Sequence, residues 1–443
     1  MDLYRKAKRL KKELSKHEEI NDSLKELAFD IFKELTVKPE FTDKNTNEVI
    51  GEEKINTNTF SNKERLDILI EWTIEIDPIL SFIIDKCDIP IERTGGGDLD
   101  AFMENVYTEY IEELHKLPNR KSFDSSKITK IESFAQQITK TIELYLDGYV
   151  HLAYAEFDKG MNIFSEEVNI EEMLLYNIDS IRTPCKFFRM RTSNTEVFSK
   201  DDMFHIPFEK RGIIRTNRFS IPGFPCLYLG SSSLVCWEEL GRPDLNTTYT
   251  SVFHLKDEDI KILDLSVSPK ELADNLKKFF EITFRRKIYK FNAYFMTWIL
   301  ISACLIRVKN QKDIFKPEYI IPQFLLEWIK QTSEYSGICY LSSKTNRHKV
   351  KNYMLYKNYA IPVKQRRDTG YCSILRNMFK ISTPIAWQTY QICKHTSEAL
   401  PIKNPLYPEK RVQFIEGINI DYESSDFGKL EALLIRSLNN SKQ

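Results

Sequence analysis

Hydrophobic residues recur at helical spacing through the first 150 residues of the chain. The clearest case is a single helical face that carries Leu24, Leu27, Ala28, Ile31 and Leu35. Ser23 and Glu26 have the spacing of a capping box, which predicts that this helix begins at Ser23. Amphipathic stretches at residues 102–117 and 128–157 predict two further helices, and the polar segment 38–62 predicts a surface loop. The pattern therefore predicts a helical N-terminal region.

Around residue 180 the pattern changes to short apolar runs that are typical of strands. The predicted strands are residues 187–190, 225–229, 250–255, 261–265, 337–341 and 359–363. Helical stretches alternate with them, at residues 234–240 and 269–285. The apolar stretch 293–306 is shorter than the roughly 20 residues that a membrane span needs, so it predicts a buried helix. Strands mixed with helices predict an α+β fold class, with a mixed sheet after the N-terminal helices.

The length of 443 residues exceeds what one ordinary core accommodates. We expect a helical N-terminal domain at residues 1–175, a mixed-sheet domain at 180–365, and a C-terminal extension at 366–443 that packs on the mixed-sheet domain. The extension is less regular in pattern and ends in a predicted helix at residues 428–438.

Composition excludes several classes of function. Lys+Arg and Asp+Glu are 64 each, so the net charge is zero, which argues against a general nucleic-acid binder. The eight cysteines and seven histidines are dispersed without metal-ligand spacing, so we expect no metal. Scattered cysteines and a charged N-terminus without an apolar signal region favour a cytoplasmic protein that is not bound to a membrane.

The segment 212–240 contains most of the candidate chemistry. A loop rich in proline and glycine leads into the apolar run 226–229, and serines at 231–233 then predict the cap of a helix. The free amides at such a helix start attract anions. The charged residues that flank this turn are Arg215, Arg218, Glu238 and Glu239. Arginines, helix amides and a carboxylate together suit a phosphorylated, glycosidic substrate.

The spacing within this segment resembles the RES domain, a family named for its Arg, Glu and Ser. Arg218 is followed ten residues later by Tyr228 and eleven residues after that by Glu239, which is the family's spacing. The run Phe-Arg-Met-Arg at 188–191 is similar to the family's opening Tyr-Arg-x-Arg strand, with Phe in place of Tyr. Ser342 is the matching serine.

Two more segments support the resemblance, which covers about residues 185–365. Residues 319–328 look like the helix before the family's last motif, and residues 335–342 are similar to its Asp-Gly-Ile-x-Tyr-Pro-Ser strand, with Ser336 and Leu341 as departures. Asn352-Tyr353 stands where that family often has an Asn-aromatic step. The N-terminal helices loosely resemble the HEPN-type extension of some RES proteins, without its Arg-x4-6-His ribonuclease signature, and would be regulatory.

The resemblance implies a fold similar to ADP-ribosyltransferases and an enzyme that acts on NAD. Known RES members are often toxins that deplete NAD by hydrolysis or phosphorolysis of the bond between nicotinamide and ribose. NAD would then be a substrate, and no further cofactor is expected. Two alternatives remain open: an ADP-ribosyltransferase that modifies a protein or nucleic acid, and a non-catalytic binding module of the same fold.

The resemblance also implies roles for the matched residues. Glu239 would stabilise the ribose in an oxocarbenium-like transition state, with Glu238 as the adjacent spare. Arg218 would hold the pyrophosphate or ribose, and Tyr228 would pack against nicotinamide or ribose. These three, Glu239, Tyr228 and Arg218, are the expected catalytic residues.

The expected NAD-binding residues are Arg189, Arg191 and Ser342. Arg189 would contact phosphate, Arg191 would substitute for it, and Ser342 would either orient the carboxylate or bind nicotinamide. A nearby basic cluster predicts a solvated loop beside the site, with attraction of the dinucleotide as the alternative. That cluster is Lys344, Arg347, His348, Lys349 and Lys351.

A toxic activity requires restraint. The partners that we expect are an antitoxin or another regulatory protein, and further copies of the chain through the N-terminal helices. Residues 1–175 are also candidates for self-restraint. The sequence does not distinguish hydrolysis from phosphorolysis.

Overall fold

A computed structural model describes most of the chain. The described residues are 2–16, 20–35, 63–94, 97–117, 125–168, 186–256, 260–270, 272–273, 290–332, 335–344, 353–395, 411–415 and 418–440. Four expectations fall outside them: the polar loop 38–62, most of the helix at 269–285, Asn352, and the basic cluster after Lys344.

The N-terminal part of the chain is helical, as the sequence predicts. Its described helices are α1 (Asp2–Leu14), α2 (Asp22–Leu35), α3 (Lys63–Lys86), α4 (Leu99–His115), α5 (Ser125–Leu146) and α6 (Val150–Glu167). Two details of the prediction are wrong. Asn21 caps α2, because its Oδ1 accepts the Leu24 amide at 3.0 Å, so the helix begins before Ser23. The stretch 128–157 is two helices, since Gly148 adopts a φ of 87° between them.

The strands begin after residue 185. The larger sheet contains β1 (Lys186–Thr192), β2 (Cys226–Gly230), β3 (Thr248–Leu255), β4 (Ile262–Leu265), β5 (Gly337–Leu341), β6 (Lys357–Pro362), β7 (Phe379–Ile381) and β8 (Ile385–Ala386). A separate pair consists of β9 (Arg411–Ile415) and β10 (Ile418–Asp421). The helices of this region are α7 (Ser233–Glu239), α8 (Lys290–Cys304), α9 (Ile320–Thr332), α10 (Ser373–Met378), α11 (Trp387–Cys393) and α12 (Asp426–Asn440).

The strand order is β4-β5-β6-β2-β1-β3-β7, with β8 on β3. Only β4 and β5 are parallel among the described pairs, so the sheet is mixed and the expected α+β class is confirmed. Strand β2 pairs along its whole length with β6, but it meets β1 at a single pair, Phe188↔Gly230. Beyond that pair, β1 and β2 are therefore no longer paired with each other.

Apolar side chains cover both faces of the sheet. One face buries Phe187, Leu227, Leu229 and Phe253 against the segment that contains Phe204. On the other face, Phe188, Met190 and Val252 pack with residues of α7, α11 and α12. The second face thus uses helices from the C-terminal part of the chain.

Residue contacts divide the chain into two compact units. The first comprises Met1–Asp88, Val106–Lys130 and Pro269–Asn292. Within it, the Tyr4 amide of α1 donates to Asp77 of α3 at 3.2 Å. The second comprises Ile89–Asn105, Ile131–Ser268 and Ala293–Gln443, and it contains the whole sheet. The domain boundaries expected near residues 175 and 366 remain predictions.

The described part of the chain contains no helix that is both long enough and apolar enough to span a bilayer.

Candidate active site

The site is built around α7, which starts immediately after β2. Ser232 caps this helix: its Oγ accepts the Val235 amide at 3.0 Å and donates to the Leu355 carbonyl at 2.6 Å. Gly230 permits this tight turn, because a Cβ there would lie 2.6 Å from the Val235 side chain and 2.7 Å from Cys236 Sγ. The serine turn of the sequence is therefore a helix cap, as predicted.

The anion expected at the start of α7 is supplied by the protein itself. Oε1 of Glu431, on α12, accepts the Ser233 amide at 2.6 Å and the Ser233 hydroxyl at 2.8 Å. The Ser233 amide therefore already has a carboxylate of the same chain as its acceptor, and the Val235 amide has Ser232 Oγ, so these two amides are not free for a substrate phosphate.

Glu239 is the last residue of α7, and its carboxylate is held by hydrogen-bond donors from two other elements. Oε1 accepts the Ser342 hydroxyl at 2.6 Å and the Asn358 side-chain amide at 2.8 Å. Lys344 Nζ lies 3.7 Å from Oε2 and also donates to the Glu239 carbonyl. Because both neutral donors converge on Oε1, the carboxylate is fixed in one orientation.

Glu238 is directed elsewhere. Its carboxylate is 4% exposed and binds Arg242, whose Nε donates at 2.7 Å and Nη2 at 3.3 Å. Glu238 does not line the cavity described next, so it is not placed to substitute for Glu239.

A cavity of about 670 Å³ lies where β1 and β2 separate. Its wall includes the cations Arg189, Arg218, Arg307 and Lys344, together with Glu239. Three tyrosines, Tyr228, Tyr319 and Tyr340, also line it. A cavity with four cations, one carboxylate and several aromatic rings is suited to an anionic ligand that contains ring systems.

Arg189 reaches from β1 toward β2 at this separation. Its Nη1 donates to the Tyr228 carbonyl at 2.8 Å, while its buried Nε has no hydrogen-bond partner among the described residues. Burial, with a smaller contribution from the nearby Arg191, lowers the pKa of Arg189 to about 10. The guanidinium therefore stays charged at neutral pH and keeps donor capacity.

Arg191 is placed away from the cavity. Its Nη1 donates to the Asp202 carbonyl and its guanidinium lies 4.9 Å from the centre of the Phe198 ring. Residues two apart in a strand lie on the same face, so Arg189 and Arg191 share one face of β1. Only Arg189 lines the cavity.

Arg218 is 8% exposed, and its guanidinium donates hydrogen bonds to acceptors of the protein itself. Its guanidinium donates at 2.9 Å to the carbonyls of Cys304 and Ile306 and to the Ser343 hydroxyl. The ring of Tyr319 lies 5.1 Å from it. Arg218 thus fixes the cavity wall and contributes a positive charge to it.

The hydroxyl groups of the cavity tyrosines are neutral at ordinary pH. Burial raises the pKa of Tyr228 and of Tyr340 well above the usual value, and it raises the pKa of Tyr319 as well. The rings therefore form an uncharged wall against which a planar group can pack.

Sequence reasoning did not identify Asn358 and assigned no role to Tyr340. Tyr340 lies in an apolar strand and Asn358 follows Lys357 in the buried strand β6. A buried polar side chain needs a partner, and Asn358 was the stronger signal of the two. In the sheet, Asn358 is the neighbour of Gly230 on one side and of Tyr340 on the other. This position in the sheet brings the side-chain amide of Asn358 within hydrogen-bond distance of Glu239. Ser342 contacts Glu239 but does not itself line the cavity.

Among the described residues, no group of His, Cys, Asp and Glu side chains is arranged to hold a metal ion.

Comparison with known proteins identifies the class. The RES domain family model matches residues 187–370, which contain β1 from its second residue, the strands β2 to β6 and the whole cavity wall. The chain belongs to the RES domain family.

A relative from Bacillus subtilis (strain 168), which is named "Putative toxin YopC", is 87% identical over 438 residues. That match covers 98% of this chain and 98% of the relative. No solved structure matches the chain significantly.

Proposed function

We propose that the chain is an NAD-consuming toxin that cleaves the glycosidic bond between nicotinamide and ribose. The observation that carries this proposal is the carboxylate of Glu239, held by Ser342 and Asn358 beside a cavity with four cationic side chains. The name of the Bacillus subtilis relative supports the toxin assignment.

The carboxylate has a clear task in this reaction. When the bond breaks, its electron pair moves to the ring nitrogen of nicotinamide, which leaves as a neutral molecule, and positive charge develops on the ribose. A fixed negative group beside the ribose stabilises that charge without reorganising. Glu239 suits this role because its two hydrogen-bond donors are neutral and leave its negative charge in place.

The cations suit the diphosphate of the dinucleotide. Arg189 is the preferred contact, since it lines the cavity and, among the described residues, donates only from Nη1, to the Tyr228 carbonyl. Arg218 has its donors on Cys304, Ile306 and Ser343, so we assign it an electrostatic and structural role in the wall. Tyr228 and Tyr340 offer flat surfaces for nicotinamide and ribose.

The acceptor of the ribosyl group is either water or inorganic phosphate. The two reactions differ only in the nucleophile that enters after nicotinamide has left, so they use the same carboxylate and the same cations. The compartment that we propose is the cytoplasm, where NAD is available as substrate.

Incubation of the purified full-length chain with NAD tests the proposal. We expect release of nicotinamide, with free ADP-ribose as the second product in hydrolysis. A rate that requires phosphate, together with a phosphorylated ADP-ribose product, identifies phosphorolysis. ADP-ribose attached to a macromolecule indicates a transferase instead. The absence of nicotinamide release under all of these conditions contradicts the proposal.

A further inference from the structure

The C-terminal helix α12 holds the N-terminus of the helix that carries Glu239. A single oxygen of Glu431, Oε1, accepts three donors: the Ser233 amide at 2.6 Å, the Ser233 hydroxyl at 2.8 Å and the Tyr422 hydroxyl at 2.5 Å. Ser233 and Tyr422 are 0% and 1% exposed. Removal of this carboxylate therefore takes away the acceptor that three buried donors share, at the positive end of α7.

Apolar contacts strengthen the same attachment. Leu430 and Leu434 of α12 pack in one buried cluster with Leu234 and Cys236 of α7, and Phe427 lies 5.8 Å from Trp237, ring centre to ring centre. On its other side, α7 is bound to β1 through Cys236 Sγ, which donates to the Phe188 carbonyl at 3.3 Å. The helix is thus held between the sheet and α12.

A change in the attachment at the start of α7 can displace Glu239, because this helix is short. Ser233 is its first residue and Glu239 is its last, so about two turns separate Glu431 from the proposed catalytic carboxylate. A helix of this length moves as a rigid piece, so a shift at Ser233 is transmitted to Glu239. Since Ser342 and Asn358 are fixed in other elements, such a shift breaks their alignment with Oε1.

We propose that Glu431 is a positioning residue for the reaction, and that α12 completes an active site which residues 187–370 alone do not provide. The inference rests on the proposed function, since Glu239 is taken as the carboxylate that the reaction needs. Glu431 lies 61 residues beyond the end of the family match.

The test compares Glu431→Ala and Glu431→Gln with Asp426→Asn as the matched control. Asp426 is a carboxylate of the same helix, but it binds Tyr390 at 3.1 Å and Lys394 at 3.4 Å rather than α7. With NAD as substrate, we expect Glu431→Ala to lower kcat roughly 10- to 100-fold with KM within about twofold, as for misplacement of a catalytic group. Glu431→Gln retains an acceptor for the Ser233 amide and should recover part of kcat, while Asp426→Asn keeps the wild-type kcat.

A second readout does not depend on activity. Amide hydrogen exchange within residues 233–239 should accelerate in Glu431→Ala and remain as in wild type in Asp426→Asn. If wild type releases nicotinamide and folded Glu431→Ala has an unchanged kcat, the positioning role is wrong although the proposed function stands. If wild type is inactive, the proposed function fails, and unchanged exchange in Glu431→Ala then overturns the attachment itself.

Discussion

The two carboxylate oxygens of Glu239 have different partners, one neutral and one charged. One oxygen accepts hydrogen bonds from the neutral side chains of Ser342 and Asn358, and the other lies 3.7 Å from the half-exposed ammonium of Lys344. Neutral donors fix the direction of a carboxylate and leave its negative charge in place, whereas a close buried cation would neutralise it. We expect the side of Glu239 that faces the cavity to act on the substrate.

Substitution of Ser342 tests the importance of this orientation. Ser342→Ala removes one of two donors to a charged group, which we expect to lower kcat roughly 10- to 100-fold. The matched control is Ser382→Ala, since Ser382 is also 1% exposed but accepts the Val252 amide at 3.1 Å in the sheet. Steady-state kinetics of nicotinamide release should show the loss in Ser342→Ala alone. Equal kcat values in the two variants would contradict an orienting role.

His205 gives the structure a dependence on pH. Burial lowers the pKa of His205 from 6.5 to about 4. Its Nδ1 lies 2.7 Å from the Ile206 carbonyl, and its Nε2 accepts the Cys372 amide at 2.9 Å, so the neutral ring fits both partners. Because the unfolded chain binds a proton below pH 6.5 and the folded chain only near pH 4, stability should fall as the pH drops through that interval.

We expect the His205 contribution to this loss to be on the order of 1–3 kcal/mol. His205→Gln can donate to one partner and accept from the other without titrating, so its free energy of unfolding should change less between pH 7 and pH 4.5. Urea unfolding of both proteins at the two pH values measures the difference. The same decrease in both proteins shows that His205 is not responsible.

At the scale of elements, the turn from β2 into α7 determines where Glu239 lies. Gly230→Ala places a methyl group 2.6 Å from the Val235 side chain and 3.0 Å from the Ser232 carbonyl, which forces the start of α7 away from the strand. We expect a loss of roughly 1–3 kcal/mol in the free energy of unfolding, and a lower kcat for nicotinamide release.

Gly212→Ala is the control for this substitution, since no heavy atom lies within 4 Å of a Cβ at Gly212. Its stability should remain within about 0.5 kcal/mol of wild type. Thermal and urea unfolding give the stabilities. A Gly230→Ala protein as stable and as active as Gly212→Ala would show that the tight turn is not required.

Local pattern predicted many of these elements, with boundaries that differ by up to three residues. The run that predicts a strand at 337–341 matches β5, and the serine turn predicts the cap of α7, because both depend on neighbouring residues alone. The split between α5 and α6 was missed because a single glycine, Gly148, interrupts an otherwise continuous apolar face. The carboxylate that binds the Ser233 amide at the start of α7 could not be predicted, since Glu431 lies 198 residues further along the chain.

The same limit applies to the site. Spacing identified Arg189, Tyr228 and Glu239, all of which line the cavity. It could not separate Arg189 from Arg191, because strand alternation puts both on one face and only tertiary contacts with Asp202 and Phe198 draw Arg191 away. Asn358 was missed, since a polar residue in a buried strand indicates that a partner exists without showing which one.

At the scale of the molecule, the compact unit that contains the sheet is assembled from distant parts of the chain. It includes residues 131–168, whose α6 packs Tyr154 and Phe157 against Phe324 of α9 at ring-centre distances of 5.4 and 5.9 Å. It also includes α12, which holds α7. A fragment limited to residues 187–370 therefore lacks both supports, so tests of function should use the full chain.

Glu239 is the proposed catalytic carboxylate, and the most direct test of this role is the kcat for nicotinamide release from NAD. Glu239→Gln keeps the size of the side chain and removes its charge, so we expect kcat to fall roughly 100- to 1,000-fold. Glu238→Gln is the control, because that neighbouring carboxylate binds Arg242 and does not line the cavity. Release that is lost in Glu239→Gln and retained in Glu238→Gln is the predicted result. A folded Glu239→Gln protein that releases nicotinamide at the wild-type rate would contradict the claim.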